Sequence, residues 1–211
     1  MTLEEFEKVS WRRCMKKIMF SDKMGLTEAV LKGKKTMTRR VVNPQPVYDE
    51  DKGLLWKGFY SGLGIDNPRD AYRNFRHNSL YKVGEVVAIA QSYATVLKGE
   101  NQELAEKVFN HLELNGYGAG LDNKMFVRAD LMPHKIKITR VEVDRLQNIS
   151  IDDCFKEGVE KTHNLYYRLP LFDGNFYRTP ITAFTAMIEK TSGKGTWARN
   201  PYVFVYEFEL L

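Results

Sequence analysis

The apolar residues of this chain recur in two patterns: alternation with polar residues in some stretches, and spacings of three and four in others. Alternation or short apolar runs predict strands at 17–20, towards Val41 and Val42, at 85–92, at 135–146 and in the C-terminal YVFVYEFELL. Spacings of three and four, or capping residues, predict helices after Ser21 or Asp22, over 100–114, after Ser150 and from Pro180 to about Lys190. Several non-adjacent strands with short helices between them predict an α+β fold, a small mixed β-barrel with peripheral helices.

The strand at 135–146 contains a change of phase. Ile136 and Ile138 alternate with polar residues, and the apolar positions then move to Val141 and Val143. A one-residue change would turn half of the strand inside out unless an extra residue absorbs it. We therefore expect a β-bulge near Thr139–Arg140.

Two helix starts are specified by their capping residues. Ser150 with Asp153 has the spacing of a capping box, and the helix that it opens is predicted to be short because Gly158 follows closely. Thr179 is the predicted cap of the next helix, since Pro180 suits a first helical turn.

The length of the chain indicates one domain that carries large insertions. It contains 211 residues. Residues 1–14 are predicted to be an N-terminal extension and residues 15–211 a single domain. Two insertions are predicted within this domain, at about 43–80 and 94–134. The first is irregular, with prolines, glycines and interleaved aromatic residues, so we expect it either to cover a surface or to move.

Composition excludes several classes of protein without naming a function. Hydrophobic residues make up 43% and charged residues 28%, which is enough for a globular core. The net charge of +5 is a mild excess that suits a polyanionic partner without requiring one. No apolar run approaches the ~20 residues of a bilayer span, and the acidic start is unlike a secretory signal. Because Cys14 and Cys154 are the only cysteines, we expect no disulfide scaffold and a cytoplasmic location.

Motifs for metals or cofactors are weak in the sequence. The histidines are widely separated, at His77, His111, His134 and His163, and we expect no metal site. A phosphate loop that ends in the TSGKGTW segment would need glycine at the position of Ile188, which precedes this segment. Glycines 116–120 follow a helix rather than a strand, and a Ser-His-Asp site lacks its elbow motif. We therefore expect no cofactor.

The most prominent local feature is a basic, threonine-rich segment. Five cations fall within nine residues, with threonines between them: Lys32, Lys34, Lys35, Arg39 and Arg40, with Thr36 and Thr38. The solvated edge of a strand would explain this pattern, since lysines block unwanted strand pairing. A site for phosphate or a polar heterocycle would explain it equally, because cations supply charge and hydroxyls donate and accept hydrogen bonds.

Five stretches of the chain resemble the ASCH domain family, particularly its phage-like members. In order they are MKKIMFSDKMGLTEAVLKGKKTMTRRVVNPQP, YKVGEVVAI, MPHKIKITRVEVDRLQNIS, DDCFKEGV and GKGTWARNPYVFVYEFEL. Together they extend from about Met15 to Leu211. The resemblance implies a PUA-like fold with a cleft beside the Gly-x-Lys segment, and it implies recognition of RNA or a modified nucleoside.

The family pattern Gly-x-Lys-x-x-Glu-x-Arg is met by Gly33, Lys35 and Arg40, while Thr38 stands at its acidic position. The small bacterial N4-acetylcytidine amidohydrolases, a related branch, also carry threonine there. Their pattern Gly-x-Lys-Thr-x-Thr-x-Arg is matched here with Thr36 in addition. The resemblance implies that Lys35 and Thr38 correspond to two of the catalytic residues of that branch.

The third catalytic residue of that branch is a glutamate from a later helix, which Glu157 resembles. The resemblance implies that Thr38 acts as nucleophile or positions the amide carbonyl. Lys35 would take the proton of Thr38, provided that burial or Arg40 lowers the lysine pKa, or would stabilise the oxyanion. Glu157 would be a general base for water or pass a proton to the leaving amine. The alternative for Glu157 is a solvent-facing residue near a helix end.

Lys35 and Thr38 can share a cleft under one geometric condition. The two residues are three positions apart, so their side chains would face opposite ways in a regular strand. Both reach one cleft only if Lys35 belongs to the turn after Gly33.

Three functions stay open from the sequence. The leading one is a module whose cleft, formed by the segment from Gly33 to Arg40, binds RNA or a modified nucleoside or nucleotide. Its further contacts would be Lys32, Lys34 and Arg39 to phosphates and Tyr93 or Trp197 as a stacking face. The alternatives are hydrolysis of an N4-acetylcytidine-type amide by Lys35, Thr38 and Glu157, and a phage-derived protein-interaction module that uses the insertions as its contact surface.

Overall fold

The computed structural model describes residues 15–51, 53–56, 59–60, 79–162, 165–171 and 174–211. The predicted N-terminal extension, residues 1–14, and residues 61–78 of the first predicted insertion lie outside these ranges. The described chain forms two compact units. Unit 1 contains residues 15–19 and 86–135, and unit 2 contains the described parts of 20–85 and 136–211.

Strands and helices alternate irregularly along the chain. The strands are β1 (Lys17–Ile18), β2 (Met37–Val41), β3 (Val47–Asp49), β4 (Gly53–Trp56), β5 (Phe59–Tyr60), β6 (Val86–Ile89), β7 (Lys135–Arg145), β8 (Glu160–Lys161), β9 (Tyr167–Arg168) and β10 (Tyr202–Leu210). The α-helices are α1 (Leu26–Leu31), α2 (Tyr93–Leu97), α3 (Gln102–Asn115), α4 (Ile151–Lys156), α5 (Pro180–Ser192) and α6 (Thr196–Arg199). Short 3-10 turns cover Asp22–Met24, Ala129–Leu131 and Leu146–Asn148. The predicted mixed α+β class is confirmed.

Unit 1 contains two parallel strands and a helical pair. β1 pairs with β6, with Ile18 opposite Ile89. The helix α3 buries Val108 and Leu112 on one face, as its amphipathic spacing predicts. These side chains join those of β6 and of the Ala129–Leu131 turn in one apolar core. The stretch predicted as a second insertion therefore supplies much of the core of unit 1.

The main sheet of unit 2 is antiparallel, with β10 between β2 and β7. The partners of β7 on β10 change register between Glu207 and Phe208. Glu207 lies opposite Arg140 and Phe208 lies opposite Ile138, which leaves Thr139 as the extra residue. The predicted bulge is confirmed, and it keeps the apolar residues before and after it on the buried face.

The sheet of unit 2 is open in the part of the chain that the structure describes. No pairing joins β2 to β7, so these strands do not form a closed barrel. The PUA-like barrel therefore stays a prediction. None of the described helices combines the length and the apolar character that crossing a membrane requires.

The first predicted insertion contains strands that the sequence pattern did not predict. β3, β4 and β5 form a small antiparallel sheet, although glycines and prolines interrupt this stretch. The buried Trp56 donates a hydrogen bond from Nε1 to the carbonyl of Pro44, at 2.8 Å, and contacts the ring of Phe204 edge-on. This part of the insertion is thereby fastened to the main sheet of unit 2.

Two of the predicted helix caps of unit 2, Ser150 and Thr179, are confirmed. The Ser150 hydroxyl accepts from the Asp153 amide at 3.0 Å, at the start of α4. The Thr179 hydroxyl accepts from the Thr182 amide at 3.1 Å, at the start of α5. The predicted helix after Ser21 differs, because Gly25 separates the Asp22–Met24 turn from α1 with φ of 66°.

Candidate functional site

The turn between α1 and β2 determines where the side chain of Lys35 goes. Gly33 adopts φ of 68° just after α1, a conformation that favours glycine. The amide of Lys35 donates to the carbonyl of Ala29 at 3.0 Å, and β2 begins only at Met37. Lys35 therefore belongs to the turn and not to the strand, which is the condition that a cleft shared with Thr38 requires.

Lys35 and Glu157 meet inside unit 2. The Lys35 Nζ donates to Glu157 Oε2 at 2.6 Å and to the Glu157 carbonyl at 2.8 Å. Glu157 is the residue that ends α4, and the amide of Thr36 donates to the carbonyl of Lys156 beside it. Lys35 is 2% exposed and Glu157 is 3% exposed, so Glu157 is not the solvent-facing residue of the alternative interpretation.

Burial lowers the pKa of the Lys35 ammonium. The charge and the hydrogen bond of Glu157 act in the opposite direction, and the positive charges of Arg40 and Arg39 lower the pKa further. The ammonium therefore loses its proton at a lower pH than an ordinary lysine does.

Thr38 lies in β2, opposite Tyr206 of β10. Its side chain is buried, and its hydroxyl makes no hydrogen bond to any residue that the structure describes. The structure thus brings Lys35 and Glu157 into contact and leaves the Thr38 hydroxyl unlinked to either of them.

Arg39 is enclosed by acidic groups. Its Nη2 lies 2.7 Å from Asp153 Oδ2, and its Nη1 lies 3.5 Å from Glu157 Oε1 and 3.0 Å from the Met37 sulfur. Arg39 is only 6% exposed, so it does not fit the expected outer contact to phosphate, which needs an accessible guanidinium. The sequence analysis did not connect Asp153 with the basic segment. The spacing of four between Asp153 and Glu157 was the available signal.

Arg40 differs from Arg39 because it keeps exposed surface. Its Cζ lies 5.7 Å from the centre of the Phe20 ring. Burial of its charged end lowers the pKa of Arg40, while Tyr81, Glu157 and Tyr206 raise it. Arg40 therefore combines exposed surface with a guanidinium that is partly removed from water.

Buried aromatic side chains surround the inner end of the basic segment. Phe20 packs on Phe208 with ring centres 5.6 Å apart, and Tyr81 meets Tyr206 edge-on at 5.2 Å. The Lys35 Nζ lies 5.9 Å from the centre of the Phe20 ring. Burial raises the pKa of Tyr81 to about 12, and Arg40 opposes this effect. Phe20 and Tyr81 were not predicted from the sequence, because single aromatic residues beside predicted strands do not by themselves indicate a site.

The other predicted ligand contacts have different surroundings. Lys34 is exposed and pairs with Glu160 at 2.7 Å, while Lys32 pairs with Glu28. Trp197 is half-buried and packs edge-on against Phe184. These three residues stay predicted contacts.

Tyr93 does not fit the stacking role expected for it. It is 0% exposed and belongs to the core of unit 1, where its hydroxyl accepts a hydrogen bond from the Arg128 amide at 2.9 Å. A ring with no exposed face cannot receive a stacked base.

Among the described residues, no group of three or more histidine, cysteine or acidic side chains could hold a metal ion. His77 and His163 lie outside the described residues. Comparison of this chain with family models, with curated proteins and with solved structures finds no match. The resemblance to the ASCH domain family therefore stays a prediction that rests on the motifs alone.

Proposed function

We propose that this protein is a PUA-like ASCH module that binds RNA or a modified nucleoside or nucleotide along the segment from Gly33 to Arg40. The observation that carries this proposal is the setting of Arg40. It is exposed, it lies 5.7 Å from the Phe20 ring, and its charged end is crowded enough to lower its pKa. An arginine with exposed surface beside an aromatic ring suits a ligand that combines a flat ring with negative charge.

The pair formed by Lys35 and Glu157 supports a nucleoside in particular. It holds a buried amine donor and a buried carboxylate acceptor within 2.6 Å of each other, so a base can reach them only by displacing part of the pair. The edge of an amino-substituted base carries an acceptor next to a donor, and single-stranded bases are recognised through such edges. A ligand that displaces part of this pair would regain the same hydrogen bonds.

The binding proposal is tested by calorimetry with cytidine 5′-monophosphate, N4-acetylcytidine and a short single-stranded RNA. We expect Arg40→Ala to weaken binding of the phosphorylated ligands about tenfold, which corresponds to about 1.4 kcal/mol. The matched control is Arg140→Ala, an exposed arginine of β7 that pairs with Glu142 at 2.6 Å. Equal losses in the two variants, or no binding by the wild type, would contradict the proposal.

A second candidate function is hydrolysis of an N4-acetylcytidine-type amide. It is supported by the contact of Lys35 with Glu157, because this contact places an ammonium that can stabilise an oxyanion next to a carboxylate that can act as general base. In this reaction water bonds to the acetyl carbon and the carbon–nitrogen bond breaks, which gives acetate and cytidine. Glu157 would take a proton from water and return one to the leaving nitrogen, while the Thr38 hydroxyl would hold the carbonyl.

Hydrolysis is tested by incubating N4-acetylcytidine with the purified protein and measuring cytidine by chromatography. We expect Thr38→Val, which keeps the shape of the side chain, to lose at least about 100-fold in rate. Thr185→Val is the control, because Thr185 lies half-buried on α5 with its hydroxyl bonded to the carbonyl of Ile181. Equal rates in the wild type and Thr38→Val would exclude this chemistry.

A further inference from the structure

Arg39 occupies a position in unit 2 where an arginine is costly. The side chain is 3% exposed, and its Nε is buried without a hydrogen-bond partner. Removal of a guanidinium from water is repaid only when its donors are satisfied, and an apolar side chain of similar volume often serves stability as well or better. A purely structural role therefore explains Arg39 poorly.

The neighbours of Arg39 suggest what it does. Asp153 in the first turn of α4 and Glu157 just after its last residue are four positions apart, so their carboxylates lie on one side of the chain and repel each other. Arg39 contacts both, with Nη2 at 2.7 Å from Asp153 Oδ2 and Nη1 at 3.5 Å from Glu157 Oε1. The other oxygen of Glu157, Oε2, lies 2.6 Å from the Lys35 Nζ. The two oxygens of the Glu157 carboxylate thus contact different cations, Lys35 and Arg39.

We propose that Arg39, anchored by Asp153, is a positioning residue that holds one oxygen of the Glu157 carboxylate and leaves only the other to Lys35. The role in ligand recognition rests on the function proposed above, whereas the effect on Lys35 does not. With Arg39 in place, Lys35 cannot pair with the whole carboxylate. Its ammonium then loses its proton more readily than it would beside the whole carboxylate, which is what a proton transfer at this site requires.

The charges around Lys35 predict in which direction its pKa changes when Arg39 is removed. Glu157 faces Lys35 from the end of α4, and Arg39 and Arg40 face it from β2. On α4, Asp153 and Cys154 lie near Arg39. Arg39 adds to the effects that lower the pKa of Lys35, and Glu157 opposes them. Loss of Arg39 removes a repelling charge and frees the second carboxylate oxygen, so both consequences raise the pKa of Lys35.

The test is an NMR titration of the Lys35 side chain in protein with carbon-13-labelled lysine. The variant Arg39→Met/Asp153→Asn removes the pair without changing the net charge. Its control is Arg140→Met/Glu142→Gln, which removes an exposed pair of the same 2.6–2.7 Å geometry from the same unit. We expect the Lys35 titration to move to higher pH in the first variant and to stay unchanged in the control. An unchanged or lowered titration in the first variant overturns the proposal.

Arg39→Lys keeps the test decisive if the double variant does not fold. A single ammonium can hold Asp153 but cannot also hold Glu157, so the Lys35 titration moves in the same direction. An unmoved titration in a folded Arg39→Lys protein overturns the proposal.

Ligand binding separates this inference from the proposed function. If the nucleosides bind, their affinity changes with pH as Lys35 loses its proton. The pH at which this change occurs is therefore expected to be higher in Arg39→Met/Asp153→Asn than in the wild type. If the wild type binds none of them, the proposed function fails while the Lys35 titration still decides the role of Arg39.

Discussion

The side chain of Lys35 is 1% exposed, so its ammonium group has lost nearly all of its hydration. Glu157 replaces that water with a carboxylate and a carbonyl, which together accept two hydrogen bonds from Nζ. The same burial that lowers the pKa of Lys35 makes each partner dependent on the other. Burial of the pair therefore affects both the pKa of Lys35 and the stability of the fold.

Removal of either partner takes away the closest counter-charge of the buried group that remains. We expect Lys35→Met and Glu157→Gln each to lower the free energy of unfolding by about 3–5 kcal/mol. The double variant should cost less than the sum of the two, because no charge is left unpaired. Urea unfolding of the four proteins in this cycle measures the coupling. Additive losses would show that the pair contributes nothing as a pair.

Burial of Tyr81 makes the free energy of unfolding depend on pH in the alkaline range. Its pKa is raised from 10.0 to about 12, so the unfolded chain loses this proton at a lower pH than the folded protein does. The folded state binds more protons between these values, and the free energy of unfolding therefore falls as pH rises from about 10 to about 12, by up to about 3 kcal/mol. Urea unfolding across this range should show a shallower fall for Tyr81→Phe. The exposed Tyr48 provides the control Tyr48→Phe, and an equal change in both variants would contradict the assignment.

At the scale of elements, the local sequence was most informative where a single side chain satisfies a backbone hydrogen-bonding group nearby in the chain. Ser150 and Thr179 cap α4 and α5 as their spacing predicts, because a side-chain oxygen satisfies an amide within three residues. The strands of the first insertion were not predicted. Their apolar runs are short and interrupted by glycine, so cross-strand pairing rather than local preference determines them.

The bulge in β7 gives a prediction about deletions. Removal of Thr139 leaves Ile136, Ile138, Val141 and Val143 in strict alternation, so all four stay on the buried face. Removal of Glu142 instead turns Val143 to the other face. We expect deletion of Thr139 to cost at least about 2 kcal/mol less than deletion of Glu142, measured by urea unfolding. Equal costs would mean that the bulge has a structural role of its own.

At the scale of the whole molecule, the net charge of +5 bears on the proposed partner. A polyanion gains from releasing counterions, whereas an uncharged nucleoside does not. Two or three phosphate contacts should make affinity for a short single-stranded RNA fall about tenfold between 50 and 200 mM salt. Fluorescence anisotropy with a labelled RNA measures this slope, and N4-acetylcytidine, followed by calorimetry, is the control. RNA affinity that is independent of salt would contradict recognition of the phosphate backbone.

The amino-acid sequence by itself determined the elements whose causes are local: the mixed α+β class, the caps of α4 and α5, the amphipathic face of α3 and the bulge at Thr139. It also singled out the basic segment as a candidate site, and it set the condition that Lys35 must belong to the turn after Gly33 to share a cleft with Thr38. Only the tertiary structure decided which of these cations are buried. Lys35 and Glu157 are 122 positions apart, and long-range packing alone gives them one dry environment. The same packing separates Arg39, enclosed by Asp153 and Glu157, from its exposed neighbour Arg40, because adjacent residues of a strand face opposite sides.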